Sequence, residues 1–456
     1  MTKDKKAPHK PSHKPLHKLE VEKAKIKEKM EEFDQLEKEA QSNQAAGADS
    51  STKRKSPLEN LNNSLDSATR LIVSIFGKER WQGLTIPLLA LSVALLSISL
   101  LMLAMGHNPL EAFRAFLAGA GWIPKPRYGG GQSQLTDFIN LTITFTPMLF
   151  AALSFIVAFR AGLFNIGIAG QMVLSGFAAT VLIGYSDLPA ILAVPLVLLI
   201  AVVVGAMAGG LIGFLKHQFN IHEVVSSIML NNIFILVTSY FIKVYFLDPM
   251  SRNSRAASSE ARLLTEPIQF GEVSAQLPIG FLVAILAAVA LWFFLTKTKQ
   301  GFEMTAVGKS PKAANYAGIK IGRTMISAMM IAGALGGLAG VTHYMASVAN
   351  IMPNQLPAVG FDAIAVALLG SVHPLGAILA TALITTFTST ATYMSSIVGV
   401  RQEIASVIVG LILLFTACGG YLRMWIEDKK RSFRDEQLDE AAKQTERQLD
   451  KQGGDE

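Results

Sequence analysis

A single cysteine, Cys418, in a chain of 456 residues excludes an intrachain disulfide and any multi-cysteine metal cluster. Its place near the end of an apolar run marks it as a small packing residue. Charge is also scarce: Asp, Glu, Lys and Arg make up 16% of the residues against 51% hydrophobic, a balance foreign to a soluble globule. The scarcity is local. Charged residues crowd the chain before about residue 80 and after about residue 422, and apolar stretches of roughly 18 or more residues recur between them. The chain divides on this basis into a charged N-terminal tail (1–80), a membrane domain (81–422) and a charged C-terminal tail (423–456). The first 20 residues lack an apolar run, so no cleavable leader is expected and insertion falls to the first spanning helix.

The formal net charge of +7 comes without the interleaved aromatics of a nucleic-acid surface, so no nucleic-acid partner is expected. Attraction to the headgroups of membrane lipids accounts for the basic residues. In the N-terminal tail His9, His13 and His17 recur every four residues. Pro11 and Pro15 forbid the helix that would align them, so a polyproline-like segment is expected and no metal site. Residues 18–40 suit a charged helix with a thin stripe of Ile26, Met30, Phe33 and Leu36, followed by a polar linker.

Hydropathy windows of about twenty residues place spanning segments near 85–105, 138–159, 166–184, 189–214, 224–242, 277–296, 324–345, 374–392 and 403–421. These are nine, an odd number that would put the charged tails on opposite faces. Counting the short apolar stretch 357–371 as a broken or tilted tenth returns both tails to the cytoplasm. The expected fold is therefore an all-α polytopic membrane protein of about ten transmembrane helices. Lys297, Lys299, Lys309, Lys312, Lys320 and Arg323 make loop 297–323 cytoplasmic, whereas Lys243, Arg252, Arg255 and Arg262 in the expected outer loop 243–276 count against that orientation.

An inverted repeat is expected from two pairs of segments. GLFNIGIAGQ (162–171) pairs with VGFDAIAVALLG (359–370), and HEVVSSIMLNNI (222–233) pairs with QEIASVIVGLIL (402–413), which puts Glu223 and Glu403 at opposite membrane faces. Polar side chains inside apolar helices cost several kcal/mol unless they face protein or water, which singles out Asn165, Gln171, Glu223, Ser227, Asn231, Asn232, His343 and Asp362 as candidates for a solute path. Helix capping and helix–helix hydrogen bonds are the competing roles, above all for Asn165, Asp362 and Glu223. Small residues recur four apart in Gly205, Gly209 and Gly213, in Gly333 and Gly337, and in Gly336 and Gly340, a spacing that lets helices approach closely.

The GKS at 308–310 is no phosphate loop. A Gly is required five residues before Gly308, where Glu303 stands, and a strand is required ahead of it, where a transmembrane helix is expected. Residues 311–318 instead suit a short amphipathic helix started by Pro311 and stopped by Gly318. A rigid helix in a cytoplasmic loop suits docking to a partner.

Four ordered blocks together resemble the permeases of ATP-binding-cassette importers for branched-chain amino acids, simple sugars and nucleosides. FNIGIAGQM (164–172) is similar to the family's FNIGxxGQ signature, and EVVSSIMLN (223–231) to a segment of its nucleoside and simple-sugar branch. GFDAIAVALLGSVHPLGAI (360–378) resembles a further family block, and AVGKSPKAANYAGI (306–319) resembles its coupling loop. The resemblance spans about residues 85–420. It implies cytoplasmic ATPase subunits docked on that loop through Glu303, Ala306, Gly308, Pro311, Ala313, Ala314, Tyr316 and Gly318. It also implies a second permease, identical or different, and an outer solute-binding protein, often lipid-anchored. On this reading the chain forms the path by alternating access, hydrolyses no ATP itself and carries no cofactor. Nucleosides are the expected solute, with simple sugars and branched-chain amino acids as alternatives. An ion-coupled secondary transporter and a membrane scaffold are the rival classes. Substitution of Gly308 by Arg or Ala314 by Glu is expected to break docking and leave folding intact.

Overall fold

Prolines, capping residues and left-handed turns decide where the helices of this chain begin, bend and end. The computed structural model describes residues 79–126, 133–266, 268–270, 273–399, 401, 403–418, 424 and 427–432. The histidine-bearing segment, the helix expected over 18–40 and most of the C-terminal tail lie outside the described residues. Helix α1 (Glu79–Ala104) is followed by α2 (Pro109–Gly119), whose first turn is capped by the Asn108 side chain accepting from the Leu110 amide at 3.0 Å. Helix α3 (Gln134–Arg160) leads into α4 (Ile168–Ala179), which widens into a π-turn over Thr180–Gly184. Helix α5 (Ala190–Phe219) stops at Asn220, a left-handed residue with φ 52°. Helix α6 (Glu223–Phe241) ends in a second π-turn, Ile242–Phe246.

Beyond it lies an irregular segment with a small antiparallel hairpin, β1 (Ile268–Phe270) and β2 (Val273–Ala275). A turn in this segment is ordered by Asp248, whose carboxylate accepts from the Ser251 hydroxyl and from the Met250 and Ser251 amides. The Ser251 hydroxyl bond leads in holding the Asp248 carboxyl below the ordinary carboxylate range. Helix α7 (Ile279–Lys297) is separated by an extended Thr298 from α8 (Lys299–Lys309), and α9 (Pro311–Tyr316) follows. Helix α10 (Ile321–Thr342) runs into a third π-turn, His343–Ser347. The chain continues as α11 (Val359–Leu369), α12 (Pro374–Ser389), α13 (Ala391–Val398) and α14 (Glu403–Ala417).

Each of the ten apolar windows holds a helix within its described residues. Among the described residues, six helices are long and apolar enough to cross a membrane alone, and α12 with α13, bent by 47°, makes a seventh if counted as one span. Ile168–Gly184, Val359–Leu369 and Ser406–Thr416 are shorter. An eleven-residue α11 reaches only about 16 Å, so the stretch that restores even parity is a half-helix. Sequence reading did not anticipate α2, the hairpin or the break at Thr298. Cys418 is exposed at the end of α14 and is not a packing residue.

The tightest contact in the bundle is between α5 and α10. A Cβ built on Gly205 would fall on the Gly333 carbonyl oxygen, and one on Gly333 would fall on that of Gly205. Gly209 faces the Met329 carbonyl and Gly337 that of Ala201 in the same way. The neighbouring stripe of α10 meets α4, with Gly340 against the Met172 carbonyl and Gly336 against Gln171. Helix α10 is thus wedged between two partners, using one pair of glycines for each.

The two short helices α4 and α11 meet at their N-termini, where a Cβ on Gly360 would lie 2.8 Å from the Ala169 Cβ. From that point they run apart. Helix α4 leads to Gly184, whose carbonyl accepts from Ser258 in the segment after α6. Helix α11 leads to the turn at Val372, whose carbonyl accepts from Arg160 Nε at 3.1 Å. The blocks paired in sequence, 162–171 and 359–370, therefore adjoin in space, and the helices they open end against different neighbours.

Overpacking of a full interior costs about 1–3 kcal/mol. Gly333→Val is expected to lower the melting temperature in detergent, followed by intrinsic fluorescence. Gly410→Ala, where nothing lies within 4 Å of the added methyl, is expected to leave it unchanged or slightly raised.

Candidate solute cavity and coupling surface

Between α3, α10, α11, α12, α13 and α14 lies a cavity of about 470 Å³, within the range of small-molecule sites. Thr144 and Pro147 of α3 form one wall, and His343 and Ser347 of the π-turn after α10 another. Asp362 enters from the first turn of α11, and Thr388, Ser389, Thr392, Glu403 and Ser406 close the remaining side. The π-turn has a local consequence. Widening the last turn of α10 re-aims the His343 ring, which stands edge-on to Tyr344 at 4.9 Å between centroids. Its Nδ1 is buried without a hydrogen-bond partner among the described residues.

Of the candidates singled out from sequence, Asp362 and His343 line this cavity. Asn165, Gln171 and Asn231 are brought together elsewhere, at the junction of α3, α4 and α6, and are buried. The Asn165 carboxamide oxygen accepts from the Gly167 amide at 2.9 Å, and its Nδ2 donates to Gln171 Oε1 at 3.3 Å. Asn231 accepts from the Gly170 amide at 2.9 Å and donates to the Ile166 carbonyl at 3.0 Å. These bonds pair the backbone groups that the non-helical turn 164–167 leaves open. Asn232, one position on, is exposed and donates to the Ile228 carbonyl in its own helix. Glu223 is paired with Lys216 at 3.0 Å across the α5–α6 turn, and Ser227 is buried on the inner face of α6.

Asp362 is no helix cap, since Ala358 occupies the N-cap of α11 without a side-chain bond. The polar cavity positions that sequence reading missed are Thr144, Ser347, Thr388, Ser389, Thr392, Glu403 and Ser406. A signal for part of the set was present in the hydroxyl-rich run TTFTSTATYMSS (385–396) inside an otherwise apolar span.

The loop between α7 and α10 is built as expected at its tip. Ser310 accepts from the Ala313 amide at 3.3 Å, Pro311 starts α9, and Gly318 closes it with φ +80°. Its residues face two ways. Pro311, Ala313 and Gly318 are exposed and Tyr316 is 93% exposed, whereas Ala314 is only 4% exposed. Gly308 lies against the backbone of Arg160–Gly162, where an added Cβ would fall on the Arg160 carbonyl oxygen. Glu303 turns back to Lys299 at 3.8 Å, and Ala306 is half-buried. Substitution of Gly308 by Arg or Ala314 by Glu would therefore strike the chain's own packing first, contrary to the expectation that folding survives.

Leaving a buried amide or carbonyl unpaired costs about 1–3 kcal/mol. Asn231→Ala is expected to destabilise the protein by that amount, while Asn232→Ala stays within about 0.5 kcal/mol. Thermal unfolding of the two variants in the same detergent separates them.

The family described as "Branched-chain amino acid transport system / permease component" matches residues 138–417. The guanosine ABC transporter permease protein NupP of Bacillus subtilis is 33% identical over 76% of this chain and 96% of its own length. The nucleoside ABC transporter permease protein NupB of Lactococcus lactis is 34% identical over 73% and 90%. The glucose ABC transporter permease protein TsgB13 of Haloferax volcanii is 26% identical over 76% and 90%. No solved structure matches the chain. Permeases of this kind work with ATPase subunits that hydrolyse the ATP and, in general, with solute-binding proteins. The chain belongs to the family of branched-chain amino acid transport system permease components, as a multi-pass membrane permease of an ATP-binding-cassette transporter.

Proposed function

We propose that this chain conducts nucleosides into the cell through the plasma membrane, as the permease of an ATP-binding-cassette importer that works by alternating access. The observation that carries the nucleoside assignment is the identity of 33–34% to guanosine and nucleoside permeases over 90–96% of their lengths. The 470 Å³ cavity supplies a compartment of suitable size, with Asp362, His343, Glu403 and a set of hydroxyls in place of the buried brace around Asn165, Gln171 and Asn231. Simple sugars are the second reading, favoured by the 26% identity to a glucose permease.

In this account ten segments give a membrane domain over 81–422 with both charged tails in the cytoplasm. The ATPase subunits dock on the exposed side of α9, where Pro311, Ala313 and Tyr316 stand clear of the permease. The push of ATPase closure enters through α8, whose Gly308 rests on the end of α3. A second permease chain pairs with this one. Asn232, an amide on an otherwise apolar exposed face of α6, favours a protein neighbour there over lipid, because an amide in hydrocarbon is costly. A solute-binding protein, anchored by lipid, delivers solute from the outer side.

The experiment is uptake of labelled guanosine into proteoliposomes holding the permease chains, the ATPase subunits and the loaded binding protein. Uptake is expected to require ATP and to be competed by other nucleosides and not by ribose, glucose or leucine. Uptake that persists without the ATPase subunits and follows a proton or sodium gradient contradicts the proposal, and competition by glucose alone moves it to sugars. Tyr316→Ala is expected to cut solute-stimulated ATP hydrolysis by roughly tenfold or more, the effect of removing one interface anchor, with the permease's melting temperature unchanged.

A further inference from the structure

The chemistry of the cavity wall points to what it rejects. Among the described residues no Lys or Arg lines it, and its ionisable groups are Asp362, Glu403 and the His343 ring. Of the six hydroxyls on the wall, those of Thr144, Thr388 and Ser389 add acceptors and no donors, because their protons are already committed. Thr144 donates to the Leu141 carbonyl at 3.0 Å, Thr388 to the Ile384 carbonyl at 3.2 Å, and Ser389 to the Thr385 carbonyl. A hydroxyl so bonded offers only its lone pairs to a solute.

One feature of the wall would ordinarily attract an anion, the N-terminal turn of α11 at Ala358 and Val359. That role is taken within the chain. Asp362 lies in this first turn and sets a carboxylate beside the positive end of its own helix, so an incoming phosphate meets a negative charge there. Glu403 carries the second carboxylate, from the first turn of α14. Asp362 is half-buried and Glu403 exposed, and a cleft walled by low-dielectric helices focuses the field of such charges on a charged solute.

We propose that the cavity is a charge filter, rich in acceptors and free of cationic side chains, which admits neutral or cationic solutes carrying N–H and O–H donors and excludes phosphate esters and other anions. Asp362 and Glu403 are its specificity-determining residues. The inference rests on the cavity being the solute path and deepens that reading: a nucleoside passes, while the same nucleoside bearing a phosphate is refused by the permease itself, whatever the binding protein selects.

The single cysteine makes the potential of the cavity measurable. In a Cys418→Ser background, Thr144→Cys and, separately, Thr388→Cys place one thiol on the wall. Each is treated with a cationic and with an anionic methanethiosulfonate reagent of similar size. The ratio of the two rates is then divided by the ratio for a small thiol free in solution. The cationic reagent is expected to be favoured by at least about tenfold, the scale of focusing in a singly signed cleft. Adding Asp362→Asn with Glu403→Gln is expected to bring the ratio back toward one. Equal corrected rates before those substitutions overturn the charge filter and leave nucleoside transport standing. Thiols at both positions inert to both reagents, in a folded protein that still imports guanosine, place the path elsewhere and overturn the two together.

Discussion

The backbone contact between α5 and α10 is the constraint on which the rest of this permease depends. Inside a bilayer no hydrophobic force drives helices together, because lipid tails are as apolar as the side chains, so association rests on close packing and hydrogen bonds. Gly205, Gly209, Gly333 and Gly337 bring no side chain of their own to the contact and let carbonyl oxygens of one helix occupy the place of Cβ atoms on the other. Gly336 and Gly340 hold α4 on the adjoining stripe. With α10 fixed between these partners, its π-turn falls where His343 and Ser347 can face α3 and α11.

Polar groups within the bundle are handled in two ways that follow from this geometry. At the α3–α4–α6 junction the carboxamides of Asn165 and Asn231 pair backbone groups at and beside the turn 164–167, and Gln171 bonds the Asn165 side chain. That turn exists because α4 begins partway through the bundle, and half-helices are tolerated in membranes only where protein re-satisfies their ends. In the cavity the reverse holds. The hydroxyl protons of Thr144, Thr388 and Ser389 go to the helices and leave lone pairs facing the cavity, and His343 Nδ1 has no protein partner among the described residues. A braced junction suits rigidity, and an unsatisfied wall suits a solute.

Much of the fold was legible because hydrophobic length and glycine spacing are written directly in the chain. The ten apolar windows, the glycine stripes and the Pro311 start and Gly318 stop of α9 each follow from a local rule and each appears in the structure. The cavity was harder to read. Asn165, Gln171, Asn231 and Asp362 are all polar residues beside apolar runs, and only tertiary packing separates the brace from the cavity wall. Asn231 and Asn232 differ by one position, about 100° around a helix, yet one is buried in a backbone clamp and the other is exposed. Thr144 and Thr388 carry no mark beyond being hydroxyls in helices. In the loop 297–323 sequence spacing could not tell that Gly308 faces the chain itself while Tyr316 faces away.

The central claim is that solute passes through the compartment walled by Asp362, His343 and Glu403 and not along the junction held by Asn165, Gln171 and Asn231. Photolabelling of the assembled transporter with an azido-substituted nucleoside, followed by mass-spectrometric mapping of the adducts, tests it most directly. Adducts are expected on the peptides spanning 343–362 and 388–409, and excess guanosine should protect them. Adducts confined to 164–172 and 223–240, protected in the same way, would contradict the account.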